Sequence, residues 1–291
     1  MLTVRVGNVT VRSIVEDISD AGDLTDFFPT AVREQLEPHL GWLAPDAYDP
    51  STDQIRMPTQ SYLVETQQSR ILVDTCIGNH KNHKKLFPEW HKRTDFRLLS
   101  SLVEQGISLD SIDYVMCTHL HADHCGWNTL FLDGRWVPSF PNADYIFNRS
   151  ELEFAEQESE DGDSTFAESV APILDAKQAL IIEDQFQVDD CVSIEPTPGH
   201  TPGHYAVNIR SAGFSAMITG DLIHSPIQLP FPEWPSKYDH DPQMAKLTRQ
   251  RVLETLCDTD KLMLTAHFPI PSAGHVIAVN GGFRFRYIDK G

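Results

Sequence analysis

The stretch Thr118–His124, with the sequence T-H-L-H-A-D-H, constrains this chain more than any other part of it. It follows a short apolar run, Tyr114 to Cys117, that predicts a buried strand. It leads into Cys125 to Asn128, where regular strand pairing is not expected to continue. Three histidines and an aspartate therefore lie within six residues at the end of a strand. Imidazole and carboxylate groups are the ligands that zinc, manganese and iron take from proteins.

The spacing within this stretch predicts two metal ions. His119 and His121 are two residues apart, so their side chains point the same way from an extended backbone. Asp123 and His124 follow where the chain turns and can face a second position. The chain has 13 histidines in 291 residues. Three of them in one six-residue window are hard to explain as a solvated polar turn, and we predict a metal site.

The run His119-x-His121-x-Asp123-His124 resembles the signature of the metallo-β-lactamase-fold hydrolases. In that family a later Gly-His, a later Gly-Asp and a final His complete a two-metal site. The matching places in this chain are Gly199-His200, Gly220-Asp221 and Ala266-His267. The resemblance runs from about Val9 to the C-terminus. It implies an α/β fold, in which two mixed β-sheets pack together and helices flank them as a four-layer αββα sandwich.

The resemblance also implies a role for each ligand. One metal ion would be held by His119, His121 and His200, and the other by Asp123, His124 and His267. Asp221 ends an apolar strand, where an unpaired carboxylate would be costly, and is expected to bridge the two ions. Asp74 matches an aspartate that supports a ligand histidine through the outer ring nitrogen, with a simple turn residue as the alternative. Two divalent ions are expected, zinc first, with manganese, iron or cobalt as alternatives.

The substrate side of the site is predicted from residues that follow Asp221. His224 stands where the quorum-quenching lactonases, which this chain resembles, carry a substrate-contacting Tyr. Asp123, Asp221 and His224 are the predicted catalytic residues, and Asp123 or His224 would pass a proton to the leaving group. Phe231 and Trp234, in a proline-rich segment, are predicted to line an apolar pocket, with core packing as an equal alternative.

The leading functional hypothesis is a two-metal hydrolase whose metal-bridging hydroxide opens an ester or a lactone, such as an acyl homoserine lactone. One alternative is a phosphotriesterase or phosphodiesterase on the same site, like the methyl parathion hydrolases of this fold. Another is a metal-dependent oxidoreductase, or a binding protein without turnover. Asp221 stands where penicillin-opening relatives carry Cys, and His121 stands where oxygen-reducing di-iron relatives carry Glu. Both differences argue against those two activities.

Bulk properties limit the partners. A net charge of −19 disfavours nucleic acid, because phosphate binding relies on Lys and Arg. No run of about 18 apolar residues predicts a membrane span, and the first residues lack the features of a signal peptide. Five cysteines, an odd number, predict reduced thiols in a cytoplasmic protein. The expected partner is a small molecule with an apolar portion, and a homodimer is possible.

A single domain over residues 1–291 is predicted, with two additions to its core. The first is an irregular N-terminal cover segment at about 17–55, interpreted as a lid, a dimer contact or a surface arm. The second is a polar insertion at about 78–95, whose lysines are predicted to be solvated. Helices are predicted at 96–105 and 241–257. The acidic stretch 151–180 is predicted to be helical in two pieces, broken around 161–163.

Overall fold

Apolar strands from both halves of the chain form two mixed β-sheets in the computed structural model, which describes residues 2–85, 87–160 and 164–288. The first sheet has the spatial order β1 (Thr3–Val6), β2 (Val9–Asp23), β4 (Gln54–Glu65), β5 (Arg70–Val73), β6 (Tyr114–Met116), β9 (Asp144–Asn148) and β10 (Ala179–Ile182), with β3 (Tyr48–Asp49) beside β4. The second sheet runs in chain order through β11 (Val192–Pro196), β12 (Tyr205–Ser211), β13 (Phe214–Ile218), β14 (Leu262–Leu264), β15 (Ala273–Val279) and β16 (Gly282–Tyr287). A separate hairpin pairs β7 (Thr129–Leu132) with β8 (Arg135–Pro138).

Eight α-helical segments lie in the part of the chain that the structure describes. They are α1 (Leu24–Phe27), α2 (Arg33–Leu36), α3 (Leu40–Leu43), α4 (Arg97–Glu104), α5 (Ala122–Cys125), α6 (Arg149–Glu160), α7 (Ala171–Asp175) and α8 (Pro242–Leu256). A π-helical turn, Phe166–Val170, precedes α7. None of the helices within the described ranges is both long enough and apolar enough to cross a lipid bilayer.

The two sheets face each other across a core of aliphatic side chains. Val73 and Met116 come from the first sheet and Val207 and Ile218 from the second, and all four are fully buried. Leucines of α4 cover the outer face of the first sheet, and Val252, with its neighbours on α8, covers the second. The predicted four-layer αββα sandwich is therefore confirmed, because each sheet buries both of its faces.

Two sets of parallel strands deliver side chains to one edge of this sandwich. In the first sheet β6 lies between β5 and β9 and is parallel to both. In the second sheet β13 and β14 are parallel. The carboxyl ends of parallel neighbours meet at one edge of a sheet, where ligand sites of α/β folds commonly form. The residues that follow β5, β6, β13 and β14 are consequently brought close together.

The N-terminal cover segment differs from the prediction in two ways. Strand β2 continues to Asp23, so the first residues of the predicted irregular segment belong to the sheet. The rest folds into α1, α2 and α3, and its buried side chains pack on Ile227 and Trp234. A surface arm is therefore excluded, since Leu24 and Phe28 are fully buried.

The insertion at 78–95 is held to the body of the protein by a lysine. Apart from a short 3₁₀ helix, Pro88–Trp90, no regular element is found among its described residues. Lys81 is buried, and its ammonium donates to Thr129 Oγ1 at 2.6 Å and to the Glu168 carbonyl at 2.8 Å. The ammonium also lies 3.7 Å from the centre of the Trp136 ring. The prediction that the lysines of this insertion are solvated is wrong for Lys81, because these contacts replace its water.

The predicted helices are confirmed at α4 and α8. Asp241 caps α8 by accepting from the backbone N–H groups of Gln243 and Met244, and Pro242 occupies the first turn. In the acidic stretch, helix α6 and the segment 166–175 are both helical. The predicted break at 161–163 lies outside the described residues. The predicted helix end at Leu180 is wrong, because β10 begins at Ala179 and pairs with β9.

Candidate metal centre

The ends of β5 and β6 hold the first ligands in place. Asp74 follows β5, and its N–H donates to the Met116 carbonyl at 2.8 Å. The Asp74 carboxylate accepts the Thr118 N–H at 2.7 Å, which fixes the chain just before His119. His121 keeps an extended backbone and precedes α5, a single helical turn that carries Asp123 and His124. The predicted change from strand to turn within the motif therefore exists.

Three histidine nitrogens converge at one position. His200 Nε2 lies 3.0 Å from His121 Nδ1 and 3.2 Å from His119 Nε2. His119 Nε2 and His121 Nδ1 are 3.0 Å apart. The outer nitrogen of His200 donates to Asp239 Oδ1 at 3.1 Å. His119 Nδ1 lies 3.2 Å from Thr118 Oγ1. The structure thus brings together the three residues predicted for the first metal ion.

A second group lies beside the first. The Nε2 atoms of His124 and His267 are 3.3 Å apart, and Asp123 Oδ2 lies 3.6 Å from each of them. The outer nitrogen of His124 donates to Asp74 Oδ2 at 2.9 Å. The outer nitrogen of His267 donates to the Pro58 carbonyl at 2.8 Å. The residues predicted for the second metal ion, and the contact predicted for Asp74, are all in place geometrically.

Asp221 lies between the two groups. Its Oδ1 is 3.1 Å from His267 Nε2 and 3.2 Å from His124 Nε2, while its Oδ2 is 3.6 Å from His200 Nε2. Its backbone N–H donates to His204 Nε2 at 3.0 Å. The preceding Gly220 has a φ of +50°, and a Cβ there would lie 2.6 Å from Thr118 Oγ1. Only glycine fits this approach, so the carboxylate is held in the position predicted for a bridge.

The donor set fits two divalent cations. The outer nitrogens of His124, His200 and His267 all face carboxylate or carbonyl oxygens, so each must carry the ring hydrogen when the ring is neutral. The inner nitrogens of His124 and His267 then present lone pairs to each other at 3.3 Å, which is unfavourable unless a cation lies between them. Asp221 Oδ1 is buried with no hydrogen-bond donor among the described residues. Four groups of at least three His or Asp ligand atoms within 4.8 Å of one another can be drawn from this cluster.

The pKa shifts of the histidines in the cluster also favour a bound cation. Burial lowers the pKa of His119 and of His200 well below the ordinary value, so both rings stay neutral and available as ligands. Burial also lowers the pKa of His124, but Asp221, Asp123 and Asp74 outweigh it and raise that pKa well above its ordinary value. The carboxylates therefore attract positive charge to this part of the cluster, either a proton or a cation.

A cavity of about 300 Å³ opens onto the cluster. His121, Asp123, His200, Asp221 and His267 line its inner end. Its outer walls carry aromatic and apolar side chains from the cover segment, strand β4, the insertion and the loop before α8: Phe27, Met57, Phe87, Trp90 and Tyr238. Three acidic residues also line it: Asp20, Glu89 and Glu158. Phe87 stacks on Trp90, with ring centroids 4.4 Å apart.

His224 also lines this cavity and is 2 % exposed. Both of its ring nitrogens lack a hydrogen-bond partner within the described ranges, although Nε2 lies 3.3 Å from Asp221 Oδ2. Its ring packs edge-on against Phe27, with centroids 5.6 Å apart. The structure therefore places His224 where the sequence predicted a substrate-facing residue.

Phe231 and Trp234 do not line the cavity, so their prediction as pocket walls is wrong. They stack on each other with centroids 4.1 Å apart, and Trp234 is only 3 % exposed. Both pack in the apolar cluster beneath the cover segment. The alternative of core packing is correct, because helices α1 to α3 cover the aromatic loop from outside.

Sequence reasoning missed several residues around the site. Asp239 and the Pro58 carbonyl orient two of the histidines, and Phe27 and Trp90 supply the apolar walls. Phe27 and Trp90 lie in the cover segment and the insertion, which the sequence had marked as additions to the core. An aromatic residue in such a segment is a signal that could have indicated a cavity wall. Asp239 gave no signal, since it lies 39 residues from His200 in an ordinary loop.

Comparisons with known proteins identify the family and several relatives of this chain. The model of the metallo-β-lactamase superfamily matches residues 55–267. An N-acyl homoserine lactonase from a Bacillus species is 32% identical over 164 residues, which are 53% of this chain and 59% of that protein. This chain thus spans about three fifths of that relative. An N-acyl homoserine lactonase from Bacillus thuringiensis is 28% identical over 227 residues, 73% of this chain and 82% of the relative.

Two solved structures cover all or nearly all of the chain. The hydrolase AbOPH, in the β-lactamase superfamily, has a TM-score of 0.82 at 22% identity and covers 99% of this chain and 97% of its own. AidC, a dizinc quorum-quenching lactonase in complex with a product, has a TM-score of 0.78 at 24% identity and covers 100% and 98%. At these identities the likeness establishes the fold. The family model spans well over half of the sequence, and the chain therefore belongs to the metallo-β-lactamase superfamily.

Proposed function

We propose that this chain is a two-metal hydrolase that opens neutral esters or lactones carrying an apolar portion, such as acyl homoserine lactones. His119, His121 and His200 would hold one divalent ion, and Asp123, His124 and His267 the other, with Asp221 between them. Zinc is the first choice, since these ligands suit it. The relatives named N-acyl homoserine lactonase support this substrate class.

The observation that carries the proposal is the division of the cavity into two ends. The inner end is made of ligand side chains, and the outer walls combine aromatic and apolar side chains with the acidic residues Asp20, Glu89 and Glu158. No Lys or Arg is among the described residues that line it. A substrate that suits these walls pairs one hydrolysable polar group with an apolar chain and carries no negative charge.

Residues of the chain itself supply positioning and proton transfer. When bound, the two cations would lower the pKa of a water between them and polarise the substrate oxygen. His224 faces the cavity with free ring nitrogens and can donate a hydrogen bond to that oxygen. Asp123 lines the cavity with a partly exposed carboxylate and can carry a proton to the leaving alkoxide. Phe27 and Trp90 exclude water from the apolar portion.

A neutral phosphotriester is the second candidate. The same lack of basic residues, together with Asp20, Glu89 and Glu158 in the lining, favours a neutral triester over a phosphodiester, whose negative charge would be balanced by the metal ions alone.

The test is a substrate panel with the protein first stripped by a chelator and then reloaded with Zn²⁺. Lactones and aryl esters of increasing acyl length are compared with a phosphotriester and a phosphodiester. We expect turnover of lactones or esters that disappears on chelation and returns with metal. Hydrolysis of the phosphotriester alone would favour the second candidate, and no turnover by the fully loaded protein would contradict both.

A further inference from the structure

Arg249 is a fully buried charge that holds three loops around the candidate metal centre. It lies on α8, and its Nε donates to the Leu222 carbonyl at 2.9 Å. Its Nη1 donates to the carbonyls of Pro232 at 2.9 Å and Trp234 at 3.4 Å. Leu222 directly follows Asp221. One side chain therefore ties the Asp221 turn to the loop that continues past His224.

The same guanidinium is paired with Asp239, which is itself buried. Asp239 Oδ2 accepts from Arg249 Nη2 at 3.1 Å and from the Ser236 N–H at 3.0 Å. Asp239 Oδ1 accepts from His200 Nδ1 at 3.1 Å. The Asp239 carboxylate therefore accepts three hydrogen bonds, two at Oδ2 and one at Oδ1.

The other histidines of the cluster are supported differently. His119 contacts a threonine hydroxyl, and His267 contacts a backbone carbonyl. His124 contacts the Asp74 carboxylate, which also accepts a hydrogen bond from Thr118. Asp239 accepts the outer N–H of His200 and also pairs with Arg249. Among the described residues, no other carboxylate that contacts a histidine of this cluster pairs with an arginine. A planar guanidinium suits this place, because it reaches carbonyls and a carboxylate at once.

We propose that Arg249 and Asp239 are a pair of positioning residues that fix the tautomer of His200 and hold the turn of Asp221. The metal position formed by His119, His121 and His200 then depends on this pair more than the position formed by Asp123, His124 and His267. Asp221 has a second anchor in His204, so the main effect of losing the pair falls on His200. The part that concerns metal rests on the proposed two-metal function, and the part that concerns the tautomer does not.

The isosteric change Asp239→Asn gives a sharp expectation. An amide has one acceptor oxygen and one donor nitrogen, whereas the site presents two donors at Oδ2 and one at Oδ1. The amide oxygen is expected to face Arg249 and Ser236, so the amide N–H₂ faces His200. His200 must then accept at Nδ1 and carry its hydrogen on Nε2, which points into the metal position.

The first measurement uses metal-free protein with ¹⁵N-labelled histidine. Long-range proton–nitrogen spectra report the tautomer of each ring, and His200→Gln identifies the His200 signals. We expect the Nδ1–H form in the wild type and the Nε2–H form in Asp239→Asn. A His200 ring that stays Nδ1–H in the variant would overturn the proposal, whatever the protein's activity.

The second measurement is a Zn²⁺ titration against a competing chelator. We expect Asp239→Asn and Arg249→Met to weaken one of the two equivalents by about 10–100-fold and to leave the other unchanged. Arg251→Met is the matched control, since Arg251 lies on the same helix, is half exposed and pairs with Glu195. Equal weakening of both equivalents, or none, would contradict the positioning role.

The two measurements separate this inference from the proposed function. A wild type that binds fewer than two equivalents of Zn²⁺ would contradict the two-metal proposal. The tautomer change of His200 in Asp239→Asn would still support the positioning role of Arg249 and Asp239. If Arg249→Met does not fold, Asp239→Asn still decides the question, because it changes neither volume nor shape.

Discussion

At the scale of single residues, the outer nitrogen of each histidine decides what its inner nitrogen presents to the site. Asp74, Asp239 and the Pro58 carbonyl each accept a ring hydrogen, so the inner nitrogens of three rings keep their lone pairs. This arrangement makes the rings better ligands and fixes their direction. The chemistry of the cluster therefore depends on residues that would never touch the metal.

The first prediction concerns His224. We expect His224→Gln to keep the full metal content and to lower the rate by about 100-fold or more, because it removes one positioned hydrogen-bond donor. Elemental analysis and kcat/KM with a lactone or an aryl ester check it. His240→Gln is the control, since His240 is exposed and does not line the cavity. Loss of a metal ion in His224→Gln would instead make His224 a ligand beside His200 and Asp221.

The second prediction concerns Asp221. Asp221→Asn keeps the shape but removes the charge that faces both groups of histidines. Loss of a residue that only supports a ligand weakens metal binding by about 10–100-fold, and we expect a larger loss here, for both equivalents. Chelator competition measures it. An Asp221→Asn protein that binds two zinc ions as tightly as the wild type would exclude the bridging role.

At the scale of elements, strand ends build the ligand cluster and the added segments build the outer walls of the cavity. The parallel pairs β5–β6 and β13–β14 place the ligands at one edge, as sheet geometry requires. The cover segment and the insertion then close the cavity from two sides. The insertion is fixed to the core through Lys81, so its aromatics have a defined position over the site.

The third prediction belongs to the insertion. Trp90→Ala should raise KM for long-chain esters or lactones more than for short ones and leave kcat nearly unchanged, because it removes apolar contact rather than chemistry. Trp42→Ala is the control, since Trp42 packs in the cover segment away from the cavity. Equal effects on both chain lengths would show that Trp90 does not contact the acyl portion.

At the scale of the whole molecule, buried carboxyl groups link folding to pH. Glu16 is 1 % exposed and lies at an irregularity of β2 that turns it inward. It accepts the Ile77 N–H at 2.7 Å and the Trp127 indole N–H. Burial raises the pKa of Glu16 to about 7. Glu16 therefore joins the first sheet to the two segments on either side of the ligand motif.

The fourth prediction follows from this pKa. Because the folded state binds the Glu16 proton more tightly than the unfolded state, its contribution to stability is complete below about pH 4.5 and falls as the pH rises to about 7. The loss amounts to roughly 3 kcal/mol. The difference in unfolding free energy between wild type and Glu16→Gln, measured without metal from pH 4 to 8, should change by this amount. A difference that does not depend on pH would show that Glu16 keeps an ordinary pKa.

The sequence by itself determined the ligand motif, the fold class and the strand-end position of Asp221 and His267, because each depends on local spacing or on an apolar run that ends in a polar group. It also marked the cover segment and the insertion as additions to the core. The tertiary structure alone decided which aromatics line the cavity. Phe27 and Trp234 are both buried in the apolar cluster beneath the cover segment, and only the packing gives Phe27, and not Trp234, a face on the cavity.

The supporting contacts were decided in the same way. His267 meets the Pro58 carbonyl across 209 residues of sequence, and His200 meets Asp239 across 39. Such contacts depend on how two sheets and a helix are placed in space, and no local pattern encodes a carbonyl or a lone carboxylate as the partner of a particular ring. The ligand types follow from the sequence, and their tautomers and angles follow from the packing around them.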